Sequence, residues 1–266
     1  MRLQVHICGA SPRSGTTLVH GIMANCFLFD RKAKHESRFY NPPSTFFSGT
    51  FVSKYPTDLR YINDWKIHDR VPDFRTICVV RDPRDVVLSE YKDEGWFFSP
   101  SEFVGAAAQV EKISHHKNNL TIRYEDLVSC PELVEGQIER FLPELKKIRP
   151  FRSWGSFELT DPEQQHALHV NRPIDQKGIN RWLSATEFPV GFFDPSFLQE
   201  VVDLGYAEST EETLISIRDR GHVPKLSKIC PRPNPIFELS SLRRDINILR
   251  MLAGIPQSKP GKFYGN

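Results

Sequence analysis

No run of eighteen apolar residues occurs in this 266-residue chain. Its longest apolar stretches are the size of single strands, which excludes a membrane-spanning helix of ordinary length. Cysteine is scarce and dispersed. The five, Cys8, Cys26, Cys78, Cys130 and Cys230, include no C-x-x-C pair, so neither a disulfide framework nor a zinc site is expected. His166 and His169 stand three apart without a third ligand nearby, and no metal is expected there either. Internal repeats and low-complexity tracts are also lacking. A strong net charge is missing as well: the formal value is +2. That balance hides an asymmetry, because residues 218–266 hold ten Lys and Arg against three acidic residues. Such a segment reads either as a solvated surface or as a face for an anionic substrate, membrane or partner.

What is present is concentrated near the start. Val5-His6-Ile7-Cys8 is a short apolar run of the kind that forms a buried strand. Gly9-Ala10-Ser11-Pro12-Arg13-Ser14-Gly15 punctuates it, and from Thr16 to Phe27 apolar residues (Leu18, Ile22, Met23, Cys26) recur at helical spacing. A strand, a tight loop and a helix N-terminus create a ring of backbone N–H groups suited to a phosphate-like anion. Nucleotide-hydrolysing loops follow G-x-x-x-x-G-K-[ST], with the Lys reaching the terminal phosphates. Here Thr16 takes the place of that Lys, and the cation is Arg13, within the loop. No strand ending in a magnesium-binding Asp is evident. The loop is therefore expected to grip a phosphate-like group without a metal.

Pro12-Arg13-Ser14-Gly15-Thr16-Thr17 resembles the 5′-phosphosulfate loop of sulfotransferases that use 3′-phosphoadenosine 5′-phosphosulfate (PAPS). Arg81-Asp82-Pro83-Arg84-Asp85, followed by Ser89, resembles the 3′-phosphate motif of the same family, R-[DN]-P-[RK]-D with a following Ser. The two motifs occur in the family's order, and the resemblance extends over residues 3–184. It implies that Arg13, Ser14, Gly15, Thr16 and Thr17 hold the 5′ side of the nucleotide, and that Arg81 and Ser89 bind the 3′-phosphate. Tyr124-Glu125-Asp126-Leu127 resembles a family stretch whose Tyr lies near the adenine. Gln176-Lys177-Gly178 with Trp182 resembles the R-K-G loop that closes over the nucleotide, with Lys177 and the Gly178 backbone near the 3′-phosphate. Gln176 departs from the family's Arg, and the interval from Gly178 to Trp182 is shortened.

The remaining expectations concern the acceptor side. Lys66-Ile67-His68 resembles the K-[TS]-H motif, in which the His is the general base and the Lys contacts the bridging oxygen. Read as a strand over 61–70, alternation places Lys66 and His68 on one face. The short interval from His68 to Arg81 implies that a connection found in the cytosolic enzymes is trimmed. In other branches of the family a Glu soon after the first helix faces the acceptor, and Glu36 stands in that place. His68 is the favoured base, because an imidazole suits proton removal near neutral pH, whereas positive neighbours would make Glu36 a poorer base. The stretch 44–62, rich in Phe, Tyr, Ser and Thr, suits a substrate-facing loop, while Phe46, Phe47 and Phe51 suit a place in the core equally well.

Strands over 3–9, 75–80 and 120–124 are expected to form the mainly parallel sheet of one α/β, P-loop-like domain flanked by helices, over residues 1–230. Residues 231–266 form a Pro-rich linker, Pro231-Arg232-Pro233-Asn234-Pro235, and a basic amphipathic helix packing on the domain. The resemblance implies transfer of a sulfuryl group from PAPS, leaving 3′-phosphoadenosine 5′-phosphate (PAP), to a hydroxyl or amine of a saccharide, an anionic compound or another small molecule. No metal and no nucleic-acid partner are expected, and the absence of an anchor points to a cytoplasmic enzyme. A P-loop nucleotide kinase and a non-catalytic nucleotide-binding protein are the rival readings.

Overall fold

The apolar run before Gly9 becomes β1 (Arg2–Gly9), a strand with Val5, Ile7 and Cys8 wholly buried. The computed structural model describes residues 2–33, 36–42, 48–89, 99–156, 174–219, 225–227, 241–254 and 263–265. His166, His169, Phe46, Phe47 and the Pro-rich stretch 231–235 lie outside them, as does the expected boundary at 230/231.

After β1 come α1 (Thr16–Cys26), β2 (Arg31–Ala33), β3 (Gly49–Lys54), α2 (Leu59–Asp64), α3 (Ile67–Arg70), β4 (Phe74–Val80) and α4 (Pro83–Val87). Then follow α5 (Ala106–Ser114), β5 (Asn119–Arg123), α6 (Tyr124–Ser129) and α7 (Pro131–Phe141). The chain continues through β6 (Glu187–Pro189), α8 (Pro195–Asp203), α9 (Thr210–Arg218), β7 (Lys225–Ser227), α10 (Ser241–Leu252) and β8 (Phe263–Gly265).

Six strands form the main sheet in the order β5-β4-β1-β3-β2-β8. The first five run parallel and β8 joins β2 antiparallel. The central strand faces two cores. Val5 and Ile7 meet Val19, Ile22 and Met23 of α1 and Val134 and Ile138 of α7. On the other face, Cys8 belongs with Phe39, Leu59, Phe74 and Phe103, where Ile248 of α10 is also buried. Helices thus cover both faces, as a parallel sheet requires.

Two expectations change here. Residues 61–70 are not a strand. They belong to α2 and α3, and Lys66 between them adopts a left-handed backbone with φ 48°. The strand that pairs with β1 on this side is β3, within the stretch expected to be a loop, and Phe51 points into the interior with 1% exposure. The reason is packing: Phe51 and Val52 are buried beside β1, whereas the period of 61–70 buries Ile62 and Ile67 against the helical layer.

Since the Ile7 side chain is wholly buried in the core, Ile7→Ala should cost about 2–5 kcal/mol of unfolding free energy. Leu28→Ala, at a residue 48% exposed, should stay within about 0.5 kcal/mol. Urea denaturation of both variants checks the contrast.

Candidate active site

β1, β3 and β4 end together, and open α/β sheets bind ligands at the carboxyl ends of their strands. The loop after β1 is tightly built. A Cβ on Gly9 would sit 2.6 Å from the Ser11 carbonyl oxygen, and Ala10 N–H donates to the Val79 carbonyl (3.1 Å), tying the loop to β4. Ser14 Oγ donates to the Ser11 carbonyl (2.8 Å) and lies 3.0 Å from Ser11 Oγ. Arg13 (φ 66°) and Gly15 (φ 96°) both take left-handed backbones. Gly15 needs to be glycine for a second reason: a Cβ there would lie 2.5 Å from Cδ2 of Tyr124. Ser14 and Thr16 are buried, Thr17 is half-buried in the first turn of α1, and Arg13 is exposed.

At the end of β4, Asp82 caps α4 by accepting the Arg84 N–H (2.9 Å), with Pro83 in the first turn. Arg81 turns back across the loop. Its Nη1 donates to the Arg13 carbonyl (3.0 Å), its Nη2 to the Gly178 carbonyl (2.7 Å), and its guanidinium lies 4.5 Å from the centre of the Tyr124 ring. Arg81 Nε is buried without a hydrogen-bond partner among the described residues. A Cβ on Gly178 would come 2.8 Å from Tyr124 Oη and 3.2 Å from Arg81 Nη2. Ser89 is buried just beyond α4, its hydroxyl donating to the Asp85 carbonyl (3.2 Å). Lys177 is exposed, and its backbone N–H donates to Asp175 (3.1 Å). The loop after β1, Arg81, Tyr124 and Gly178 therefore meet at one place.

Asp85 fixes the segment that carries Gly178. Its two carboxylate oxygens accept the N–H groups of Asn180 (2.7 Å) and Trp182 (3.1 Å). Burial pushes its carboxyl up to about 6, with the neighbouring Asp82 charge adding to the rise and the two N–H donors opposing it.

The acceptor side is arranged differently from expectation. His68 is buried near the amino end of β4. Its Nε2 is 2.6 Å from Thr76 Oγ1, and its ring stacks on His116 at 4.7 Å. Five residues at roughly 3.3 Å each separate Thr76 from Arg81, so His68 sits at the opposite end of the sheet from the loop. Burial, aided by His116, lowers its pKa to about 4. Lys66 is exposed at the start of α3. The shared strand face expected for Lys66 and His68 does not exist.

Lys54, which the sequence reading passed over, lies at the carboxyl end of β3 beside Ile7. It is 1% exposed and its ammonium meets Glu36 at 2.9 Å. The Ser37 N–H donates to the Lys54 carbonyl (2.9 Å), and beyond it Gly9 N–H donates to the Pro56 carbonyl (2.9 Å). Glu36 and Lys54 are thus carried to the edge of the loop after β1. Asp58 secures this corner: it is fully buried, pairs with Arg38 (2.7 Å) and accepts the Phe39 N–H (3.0 Å). The signal that could have found Lys54 is the strand-sized run Thr50-Phe51-Val52-Ser53, stopped by Pro56.

Because the folded pKa of Asp85 exceeds its ordinary value of 3.8, its contribution to stability is full below that value and is lost as pH rises through about 6. Relative to Asp85→Asn, the wild type should lose on the order of 2–3 kcal/mol between these limits. Unfolding free energies of the two proteins from pH 3.5 to 7 test it, and parallel curves would remove Asp85 from the titration.

No protein-family model matches the sequence, and no curated protein is significantly similar to it. Among solved structures, the sulfotransferase domain of the Synechococcus PCC 7002 olefin synthase superposes with a TM-score of 0.53 at 16% identity. That match covers 77% of this chain and 95% of that one. The sulfotransferase domain from the curacin biosynthetic pathway gives 0.50 at 16% identity, over 78% and 99% of the two chains. In the arrangement of its sheet and helices, this chain has the sulfotransferase fold.

Proposed function

We propose that the protein transfers a sulfuryl group from PAPS to a hydroxyl or amine of a small acceptor, a saccharide among them. The observation that carries this reading is Arg81. It joins the loop after β1 to the Gly178 segment, and it keeps a buried Nε with no hydrogen-bond partner among the described residues at their junction. The glycines at 9, 15 and 178 let the Ser11 carbonyl and the Tyr124 side chain pack directly on the backbone, which draws the loop after β1, Tyr124 and the Gly178 segment together. This suits a ligand with phosphate at both ends, one on the loop N–H groups and the helix start, the other on Arg81 and Ser89. Tyr124 offers its ring between the two.

In this reading Arg13, the N–H groups of Ser14–Thr17 and Lys54 stabilise the charge on the sulfuryl oxygens and on the departing phosphate. The acceptor oxygen or nitrogen forms its bond to sulfur as the sulfur–oxygen bond to the 5′-phosphate breaks. Glu36 takes the acceptor's proton, replacing His68 in that role, since His68 stands at the far end of β4. Lys54 holds the Glu36 carboxylate in place through their 2.9 Å contact. The placement of Lys177 at the 3′-phosphate belongs to this proposal.

Arg81→Ala removes a charge-assisted contact of about 1.5–3 kcal/mol. PAP should bind roughly 10- to 150-fold more weakly by titration calorimetry, and adenosine 5′-phosphosulfate should weaken clearly less, because it loses only the tether of the loop after β1 and no 3′-phosphate contact. Equal losses for the two ligands would refute the 3′-phosphate assignment. Tight metal-free binding of PAP without binding of ATP–Mg²⁺ separates a sulfotransferase from a kinase, and turnover separates it from a binding protein.

Removing a general base costs on the order of 10²–10⁴-fold in rate. Glu36→Gln should lose kcat by that much with PAP affinity intact, whereas His68→Gln should lower Tm and leave kcat within a few-fold. The opposite ranking in a labelled-PAPS assay would return the base to His68.

A further inference from the structure

Beyond Glu36 and Lys54, the same corner of the sheet holds a layered cluster of arginine and tyrosine. The Arg38 guanidinium lies 3.8 Å over the Tyr55 ring and 5.7 Å from the Tyr61 ring. Arg244, from α10, lies 3.9 Å over Tyr61 and donates from Nη1 to the Tyr61 hydroxyl (2.6 Å). Helix α10 is held to the domain by Ile248, which is completely buried, so Arg244 is presented from a fixed element.

Among the described residues the charges of this cluster are paired unevenly. Glu36 answers Lys54 and the buried Asp58 answers Arg38. Arg244 has only its sequence neighbour Asp245 among the described residues, at 3.6 Å and 40% exposed. Arg244 Nε is buried and makes no hydrogen bond to any described residue. The phenols cannot supply the missing anion: burial pushes Tyr55 up to about 12 and Tyr40 higher still. Each guanidinium carries five N–H donors; Arg38 spends hydrogen bonds on Asp58 and Tyr55, and Arg244 one on the Tyr61 hydroxyl. Both side chains remain partly open, 13% for Arg38 and 20% for Arg244. A forked, sheltered, undercompensated guanidinium is the arrangement that recognises a planar or tetrahedral oxyanion.

We propose that Arg38 and Arg244, stacked on Tyr55 and Tyr61 beside the Glu36–Lys54 pair, form an acceptor subsite for an oxyanion, so that the acceptor is a hydroxyl compound carrying a carboxylate or sulfate. This rests on the sulfuryl-transfer reading, which supplies the reason for an acceptor to sit there. Arg244 is the specificity-determining residue. Arg38 sets the inner wall and is partly committed to Asp58.

The test uses the full chain saturated with PAP and two matched pairs of probes. One pair is 4-hydroxyphenylacetate and its amide; the other is 4-nitrophenyl glucuronide and 4-nitrophenyl glucoside. In at least one pair, calorimetry should show the carboxylate member binding about tenfold or more tightly than its neutral partner, and the responding pair identifies a phenolic or a saccharide acceptor. Arg244→Gln should abolish that preference while the neutral member and PAP bind as before. Arg244→Lys, which keeps the charge and covers the case of a misfolded Gln variant, should retain part of it. Equal binding within both pairs, no binding of either carboxylate, or equal weakening of both members by Arg244→Gln would overturn the subsite. Failure of PAP itself to bind would instead overturn the sulfotransferase reading.

Discussion

The guanidinium of Arg81 is the contact on which the geometry at the carboxyl end of β1 and β4 depends. It springs from the end of β4, yet its two amino groups reach carbonyls 68 residues earlier and 97 residues later in the chain. Without it the loop after β1 and the Gly178 segment would have no common anchor. Both carbonyls belong to backbone that ordinary residues avoid or crowd: Arg13 is left-handed, and Gly178 has no room for a side chain. Strained or crowded backbone persists only where surrounding contacts over-determine it, and Arg81 together with the Tyr124 ring supplies that constraint. Asp85 acts in the same direction from one turn further on, holding Asn180 and Trp182 by their N–H groups.

The corner that carries Glu36 and Lys54 is organised by a different kind of contact. Asp58, with no exposure to water, gathers Arg38 and the backbone of Phe39 and lies 3.3 Å from His6 Nε2. His6 in turn meets Ser53 (2.8 Å). This succession has the residue types of a hydrolase triad, but all three side chains are sealed inside the sheet and reach no solvent. It serves instead to hold the 36–40 segment against β3. A buried carboxylate that loses one of its partners is costly, so the segment bearing Glu36 is fixed by the interior and not by its own surface contacts.

The local structure of the loop after β1 and of the turn at Arg81 was legible because the residues are close in sequence and their conformations follow from residue type. Gly15 and Pro12 set the loop, Asp82 and Pro83 start a helix, and the apolar runs at β1, β4 and β5 read as buried strands. The corner around Lys54, Glu36 and Arg244 was not legible, and the reasons are specific. Lys66-Ile67-His68 has the period of a strand, but three residues cannot distinguish a strand from a helical turn whose Ile67 is buried. Gly49–Lys54 lies in a stretch rich in Ser, Thr and aromatic residues that favour strands as much as loops. Only pairing with β1 decides the matter. Arg244 and Tyr61 are 183 residues apart, a separation no local pattern spans.

The strand order has a consequence for how the sheet is assembled. β1 is the first strand made and also the innermost. It can only be completed outward, by β3 and β2 on one flank and by β4 and β5 on the other. Every pairing is between distant parts of the chain, the circumstance that slows folding and leaves strand edges open meanwhile. On the β5 flank the edge is final once residue 123 has emerged. On the other flank β2 stays uncovered until residues 263–265 arrive to pair with it. During synthesis β2 is therefore the open edge on that flank until β8 pairs with it, and the shortness of β2, three residues, limits what can add to it.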